Sequence, residues 1–260
     1  MATPFDPARP REIVGSAQTS VSSTRLKLLA QGPGVRLWTW PALVGLGAVL
    51  AVIMLGFSAS ARGWNTPGVV MTAVLGCVFG YIGAKCWYLA LHRKHLRHFG
   101  TAGACIQGFL VVSLATLVAG GAAMSIDIGS LLDATTPGLF LAMAVGRPGC
   151  FFTGCCAGRP TGSRFGVWSS DRRIGVRRVP VQLLEAAAAL VIGLVSLFAS
   201  SSLDAPGGVV FSGAVAAYTL SRQVLFPYRA DPHTRRGRAV TIALCLVVLV
   251  GVGAALITSS

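Results

Sequence analysis

Apolar residues along this chain gather into seven long runs separated by short polar stretches, with no period-2 alternation and no clean amphipathic stripe. The runs are Trp38 to Phe57, Pro67 to Leu91, Thr101 to Ala123, Leu131 to Phe152, Val179 to Phe198, Gly207 to Phe226 and Ala239 to Ile257. Each is close to the ~20 residues that an α-helix needs to cross the hydrocarbon of a bilayer. The pattern therefore predicts an all-α membrane protein, a bundle of seven transmembrane helices forming one domain over 38–260. The preceding residues 1–37 mix Arg9, Arg11, Glu12, Arg25, Lys27 and Arg36 with Ser, Thr and Gly. They hold no apolar run long enough for a signal-peptide core, and they read as a disordered, retained basic tail.

Five of the runs are interrupted by groups that hydrocarbon penalises. Lys85 lies in the second, Gln107 in the third, Asp133 and Arg147 in the fourth, Gln182 and Glu185 in the fifth, and Arg222 near the end of the sixth. A charge at mid-bilayer costs at least about 2.5 kcal/mol on insertion scales, so these groups must face one another or a wet cleft. Mutual neutralisation as helix-bundle glue is one reading. Counting Lys85, Arg147 and Arg222 against Asp133 and Glu185, however, leaves a positive excess. A phosphate is the ligand that completes such a cationic cleft.

Composition narrows the class further. Of 260 residues, 53% are hydrophobic and 12% charged, against about 25% charged in soluble domains. The net charge of +14 would suit a nucleic-acid binder in a polar chain. Here the basic residues sit between apolar runs, which points to a membrane surface and away from nucleic acid. The basic stretch His92-Arg93-Lys94-His95-Leu96-Arg97-His98 fits an anionic leaflet or, more simply, an ordinary topogenic loop. The tail and the second–third, fourth–fifth and sixth–seventh loops hold 5, 3, 6 and 4 Lys or Arg, whereas the opposite loops hold only Arg62. By the positive-inside rule the tail is cytoplasmic and the C-terminus external.

The segment with the most chemical content joins runs four and five: Gly146-Arg147-Pro148-Gly149-Cys150-Phe151-Phe152-Thr153-Gly154-Cys155-Cys156-Ala157-Gly158-Arg159-Pro160-Thr161. Its glycines do not serve helix propensity. They let backbone N–H groups turn toward a ligand, and the flanking arginines suit a phosphate at headgroup depth.

Read whole, the segment resembles the signature of the bacterial prolipoprotein diacylglyceryl transferase family, Gly-Arg-x-Gly-Asn-Phe-x-Asn-Gly-Glu-x-x-Gly-Arg-x-Thr. Asp133 and Pro137 stand ahead of it in the family's register, and Gly83-Ala84-Lys85 is similar to a Gly-Ala-Arg on helix two. Val179-Pro180-Val181-Gln182-Leu183-Leu184-Glu185 resembles His-Pro-Ser-Gln-Leu-Tyr-Glu. Arg222 and Arg229, with Ala230-Asp231, resemble the paired arginines of the family's Arg-Phe-x-x-Glu-Phe-x-Arg-Glu-Pro element, and Gly32-Pro33 before Trp38 resembles its approach to helix one. The likeness spans roughly residues 32 to 257.

The resemblance implies an enzyme of the inner membrane of a bacterial cell. It would move the diacylglyceryl group of phosphatidylglycerol to the lipobox cysteine of preprolipoproteins and release glycerol phosphate. Its partners would be phosphatidylglycerol, preprolipoprotein signal peptides and membrane lipids, with no cofactor and no metal. Arg147, Arg229 and Gln107 fall at catalytic positions. Arg147, Gly149, Gly154, Gly158, Arg222, Asp133, Gln182 and Glu185 fall at substrate-binding ones. Departures from the pattern concentrate on proton handling: Gln107 replaces a histidine, Thr39 a tyrosine, Cys150 and Cys155 the signature Asn and Glu, and Phe226 a glutamate. Glu185 or Asp133 could supply a base instead. Other readings of the same arginines are a thiol-dependent reaction on another anionic lipid, and lipid binding or transport without bond cleavage.

Seven cysteines are an odd count, and Cys77, Cys86, Cys105 and Cys245 lie in apolar runs as small hydrophobes, which excludes a secreted disulfide framework. Cys150, Cys155 and Cys156 could be activated thiols or soft-metal ligands. No fourth Cys or His stands at ordinary spacing, so packing is expected over metal. A bridge between the vicinal Cys155 and Cys156 would be strained. Orientation carries two opposed arguments. The family holds its signature loop outside, whereas the charge count puts it inside. Headgroup-binding arginines bias such a count, so the loop is expected on the outer side.

Overall fold

The structure, a computed structural model, describes residues 33–92, 99–100, 103–168, 177–202, 206–230 and 234–259. Most of the expected tail, the centre of the basic loop at 93–98, Ser170, Arg172, Arg173 and Asp231 lie outside the described residues.

Among the described residues seven α-helices follow one another: α1 (Pro33–Ala61), α2 (Thr66–Leu91), α3 (Ile106–Ala123), α4 (Ile128–Thr153), α5 (Val181–Ser202), α6 (Val209–Leu225) and α7 (Arg235–Ser259). All seven are long and apolar enough to cross a membrane. The chain is thus a multi-pass helical membrane protein, as its apolar runs predict. Between α4 and α5 lies a short antiparallel ribbon, β1 (Val167–Trp168) against β2 (Arg177–Arg178), and a 3-10 turn (Phe226–Tyr228) follows α6.

Local chemistry explains where the helices differ from the runs. Asp127 caps α4, its Oδ2 accepting from the Ser130 N–H at 2.7 Å, so the helix starts ahead of Leu131. This bond and the helix N-terminus hold the Asp127 carboxyl below the usual carboxylate range. Asn65 caps α2, with Pro67 in its first turn. In contrast α3 starts later than the apolar run, because Cys105 is extended and its N–H is drawn to Ala84 O at 3.0 Å. Helix α1 begins at Pro33, inside the stretch read as tail.

Helix α4 is the hub, packing on α1 and α5 and touching α6, while α7 packs chiefly on α6 at the periphery. Small residues set these distances. A Cβ on Gly47 would come 2.7 Å from Ala142 O, and one on Gly138 2.8 Å from Ala51 O, so α1 and α4 meet backbone to backbone. One apolar cluster, with Leu55, Val69, Leu117 and Leu131, joins α1 to α4, and another, with Phe140, Ala189, Ala214 and Tyr218, sits where α4, α5 and α6 converge. Just beyond it lies the polar cluster described next.

The intramembrane charges do not form a single polar interior. Lys85 turns to the α2–α3 corner, donating to Phe99 O at 3.0 Å and Gly100 O at 3.3 Å, with its ammonium about 5 Å from the Tyr81 and Phe99 rings. Asp133 lies near the start of α4 and accepts from the Gly208 and Phe211 N–H groups at 2.8 and 2.7 Å, capping α6. It is fourteen residues before Arg147, about 21 Å along the helix at 1.5 Å per residue. Asp133 is therefore remote from Arg147, not beside it.

Candidate functional site

The cluster is centred on Glu185, one turn into α5, whose side chain is wholly buried. Its Oε2 lies 2.9 Å from Arg147 Nη1. Its Oε1 lies 2.5 Å from Arg229 Nη1 and 3.3 Å from Arg222 Nε. Among the described residues three guanidinium groups thus share one carboxylate, a formal surplus of two positive charges in a low-dielectric setting. Each comes from a different place: Arg147 from the end of α4, Arg222 from the end of α6, and Arg229 from just past the 3-10 turn. The arrangement is graded toward the surface. The side chain of Arg229 is 5% exposed, Arg147 18% and Arg222 35%. A buried carboxylate paired with several guanidiniums acts as an anchor, fixing donors whose remaining N–H groups can meet a further anion.

Tyr218 was not singled out by the sequence, yet its buried phenol adjoins Arg147. It stands four residues before Arg222, so both lie on one face of α6, and that spacing is the signal that could have found it. The Phe226 ring lies 6.0 Å from the Arg229 guanidinium, in the position where the resemblance expects a glutamate.

The signature segment supports the cluster mainly through its backbone. Helix α4 ends in a Schellman closure: Gly154 has φ +78°, its N–H is directed at Phe151 O (3.3 Å), and Cys155 N–H donates to Cys150 O at 3.1 Å. The chain then runs extended between two neighbours. Arg159 N–H donates to Tyr228 O at 2.7 Å and Ala230 N–H to Ala157 O at 3.1 Å on one side. Val179 N–H donates to Arg159 O and Thr161 N–H to Arg177 O on the other. Gly158 leaves no room for a side chain, since a Cβ there would overlap Val179 O. Gly149 is less constrained: a Cβ there would come 3.2 Å from the Trp40 Cα of α1, a tight approach and not an overlap.

Side chains complete this frame. Gln182 Nε2 donates to Cys155 O at 2.8 Å, Arg178 Nη1 to Gly158 O at 2.9 Å, and Arg159 Nε to Arg229 O at 3.0 Å. The second signature arginine therefore holds the backbone of a cluster arginine. A neighbouring open cleft of about 690 Å³ is lined by Pro160, Phe165, Leu184, Pro227 and Tyr228 among others. Leu184 and Tyr228 adjoin Glu185 and Arg229 in the chain.

The structure thus brings together Arg147, Glu185, Arg222 and Arg229, with Gln182, Gly154 and Gly158 in the supporting frame. Asp133 lies apart from them near the start of α4, and among the described residues no hydrogen bond or ion pair joins Gln107 to them. Gln107 is exposed near the start of α3, where its Oε1 lies 3.6 Å from Cys105 Sγ. Thr39 is half-buried near the start of α1. Among the described residues, no three His, Cys, Asp or Glu side chains are arranged to hold a metal ion.

Comparison with known proteins agrees with this frame. The sequence model of the prolipoprotein diacylglyceryl transferase family matches residues 28–258. A phosphatidylglycerol–prolipoprotein diacylglyceryl transferase of Clostridium tetani is 27% identical over 210 residues, covering 77% of this chain and 84% of the relative. The second such enzyme of Clostridium perfringens is 26% identical over 234 residues, covering 84% and 89%. One from Cutibacterium acnes is 25% identical over 254 residues, covering 90% and 85%. With the family's pattern matched from the start of α1 nearly to the end of α7, the chain belongs to the prolipoprotein diacylglyceryl transferase family.

Proposed function

We propose that this protein transfers the diacylglyceryl group of phosphatidylglycerol to the lipobox cysteine thiol of preprolipoproteins, in the inner membrane of a bacterium. The observation that carries the reading is the set of three guanidiniums on one buried carboxylate. In the reaction the substrate sulfur bonds to the terminal glyceryl carbon, the bond from that carbon to the phosphate oxygen breaks, and glycerol phosphate leaves with the electron pair. Negative charge grows on the departing phosphate. Arg147 and Arg222, the more exposed cations, hold that phosphate, and Arg229 fixes the field from beneath. Because Glu185 positions them beforehand, little reorganisation accompanies the charge movement.

Proton handling follows from the same geometry. Both Glu185 oxygens are engaged by guanidiniums, Asp133 is about 21 Å away by helix rise, and Gln107 has no basic group. The cationic field itself therefore favours the thiolate of the incoming substrate, as a nearby guanidinium does for any thiol. The cleft beside Leu184 and Tyr228 offers an apolar surface to the lipid chains or the signal peptide.

The test is reconstitution of the purified protein in phosphatidylglycerol vesicles with a lipobox peptide. Release of glycerol phosphate coupled to a thioether-linked diacylglyceryl peptide is the expected result. Lipid binding without release, in a folded preparation, would make the protein a carrier. Orientation is tested by single cysteines at Ser170 and Ser202 in a background lacking native cysteines, labelled in intact cells with an impermeant maleimide. Reaction at Ser170→Cys alone places the signature loop outside, as proposed, whereas reaction at Ser202→Cys alone would place it in the cytoplasm.

A further inference from the structure

The closure that ends α4 also sets two thiols side by side. Residues five apart in a continuous helix point in different directions. The left-handed Gly154 turns the chain back, so the fourth-last residue of α4 and the residue just after Gly154 meet, a contact usually made by apolar side chains. Here those positions are Cys150 and Cys155. Cys155 Sγ lies 3.7 Å from Cys150 O and 3.3 Å from Thr153 Oγ1, and the Cys150 and Cys155 thiols are within hydrogen-bonding reach of each other and of Cys156. Cys155 is exposed and Cys150 half-buried. Cys150 is near enough to Arg147 to interact with it electrostatically, but the proposed transfer uses neither thiol.

We propose that Cys150 and Cys155 are a redox-active dithiol, with Cys155 the attacking thiol and Cys150 the resolving one, which exchange with an external disulfide converts to an internal bridge. The Cys155 thiolate displaces one thiolate from the external disulfide, giving a mixed disulfide. Cys150 then gives up its proton, attacks Cys155 Sγ and releases the second thiolate. One disulfide is thus reduced to two thiols as the dithiol loses two hydrogens. Hydrogen bonds from the Cys150 and Cys156 thiols hold the Cys155 thiol below the ordinary thiol range, which suits the attacking role. Cys156 is the poorer partner. It is vicinal to Cys155, where a bridge is strained, and its φ of +53° fixes its direction separately. The bridge would tie the last turn of α4, three residues beyond Arg147, to the residue whose carbonyl Gln182 of α5 holds. It would thereby stiffen the corner that carries Arg147.

The test treats the reduced full-length protein, in detergent micelles, with oxidised glutathione, followed by maleimide blocking and mass spectrometry of non-reduced peptides. The expected result is a peptide carrying both cysteines, two hydrogens lighter, that dithiothreitol restores. Cys150→Ser should trap glutathione on Cys155, Cys155→Ser should slow oxidation of Cys150 by about tenfold or more, and Cys156→Ser, whose hydroxyl keeps a donor beside Cys155, should still form the Cys150–Cys155 bridge. Two results would overturn the proposal. One is bridging of Cys150 to Cys156 at the parental rate in Cys155→Ser. The other is both thiols remaining free in the parent after prolonged oxidation, while maleimide still labels Cys155. The parental measurement needs no variant to fold.

Discussion

The two ends of the bundle use the same kinds of residue to opposite effect. At the end where α4 begins, Asp127 and Asp133 accept from backbone N–H groups, so their charge is spent on the starts of α4 and α6. Arg62, on that side, donates to the carbonyls of Ser58 and Ser200 and lies 5.6 Å from the Trp64 ring. Charge there closes helix ends, each group being met by backbone N–H or carbonyl groups and only one net negative charge remaining among the three. At the other end, among the described residues, one carboxylate faces three guanidiniums, and the cluster holds more positive than negative charge. An intramembrane charge therefore does not mark a binding site by its presence. The sign and size of the local imbalance mark it.

The sharpest way to break this contrast is Glu185→Ala. Removing the shared carboxylate leaves buried cations facing one another, and breaking such a set costs about 3–5 kcal/mol. A large fall in thermal stability in micelles is expected, together with loss of turnover. Arg147→Lys should leave the fold intact but lower phosphatidylglycerol turnover by about 100-fold, since an ammonium does not reproduce a guanidinium that bridges a carboxylate and a phosphate. Equal rates for parent and variant would remove Arg147 from the mechanism. At the opposite end, Asp133→Asn keeps one acceptor and turns the other into a donor facing an N–H. A stability loss of about 1–3 kcal/mol is expected, with turnover per folded molecule unchanged. A selective loss of turnover would dissolve the distinction between the ends.

Smaller effects sharpen it. Gln107→His should change turnover by less than about threefold, because the side chain is exposed and its contact is with Cys105; a free imidazole matters only when positioned against the proton it moves. Arg164→Lys should be close to silent. Its guanidinium rests 4.8 Å from the Phe165 ring, and it is its main-chain carbonyl that Arg177 engages.

The sequence carried the seven spans because hydrophobic runs of bilayer length are a one-dimensional signal. It carried Arg147, Glu185 and Arg222 for a related reason, since charges inside apolar runs stand out against their surroundings. Pairing did not follow. Asp133 and Arg147 share one run, and only a helix rise of about 1.5 Å per residue separates a cap from a site. The glycines of the signature were legible as close-approach positions, but the surface each meets was not: Gly158 against Val179 and Gly149 against Trp40 are contacts between segments distant in sequence. Arg159 reads in the sequence as a phosphate-binding arginine of the signature and Arg178 as one of the loop's cations, yet both are spent on main-chain carbonyls. They turn inward because the extended loop between them brings bare carbonyls within reach, a property of tertiary pairing that no local pattern encodes.

The placement of Glu185 on α5 also bears on how the protein is made. While α4 is leaving the ribosome, Arg147 has no counter-charge, because the carboxylate that neutralises it belongs to the next helix and the cations that share it arrive later still. An arginine entering hydrocarbon alone is penalised, and near the end of a helix it can wait at the interface. Helices α4 and α5 would then settle as a hairpin, Glu185 carrying Arg147 inward. The last two helices would lock the pair once Arg222 and Arg229 had been synthesised. The anion-binding surplus would thus come into being only at the final stage of assembly, so that a truncated chain would lack the charge that defines its chemistry.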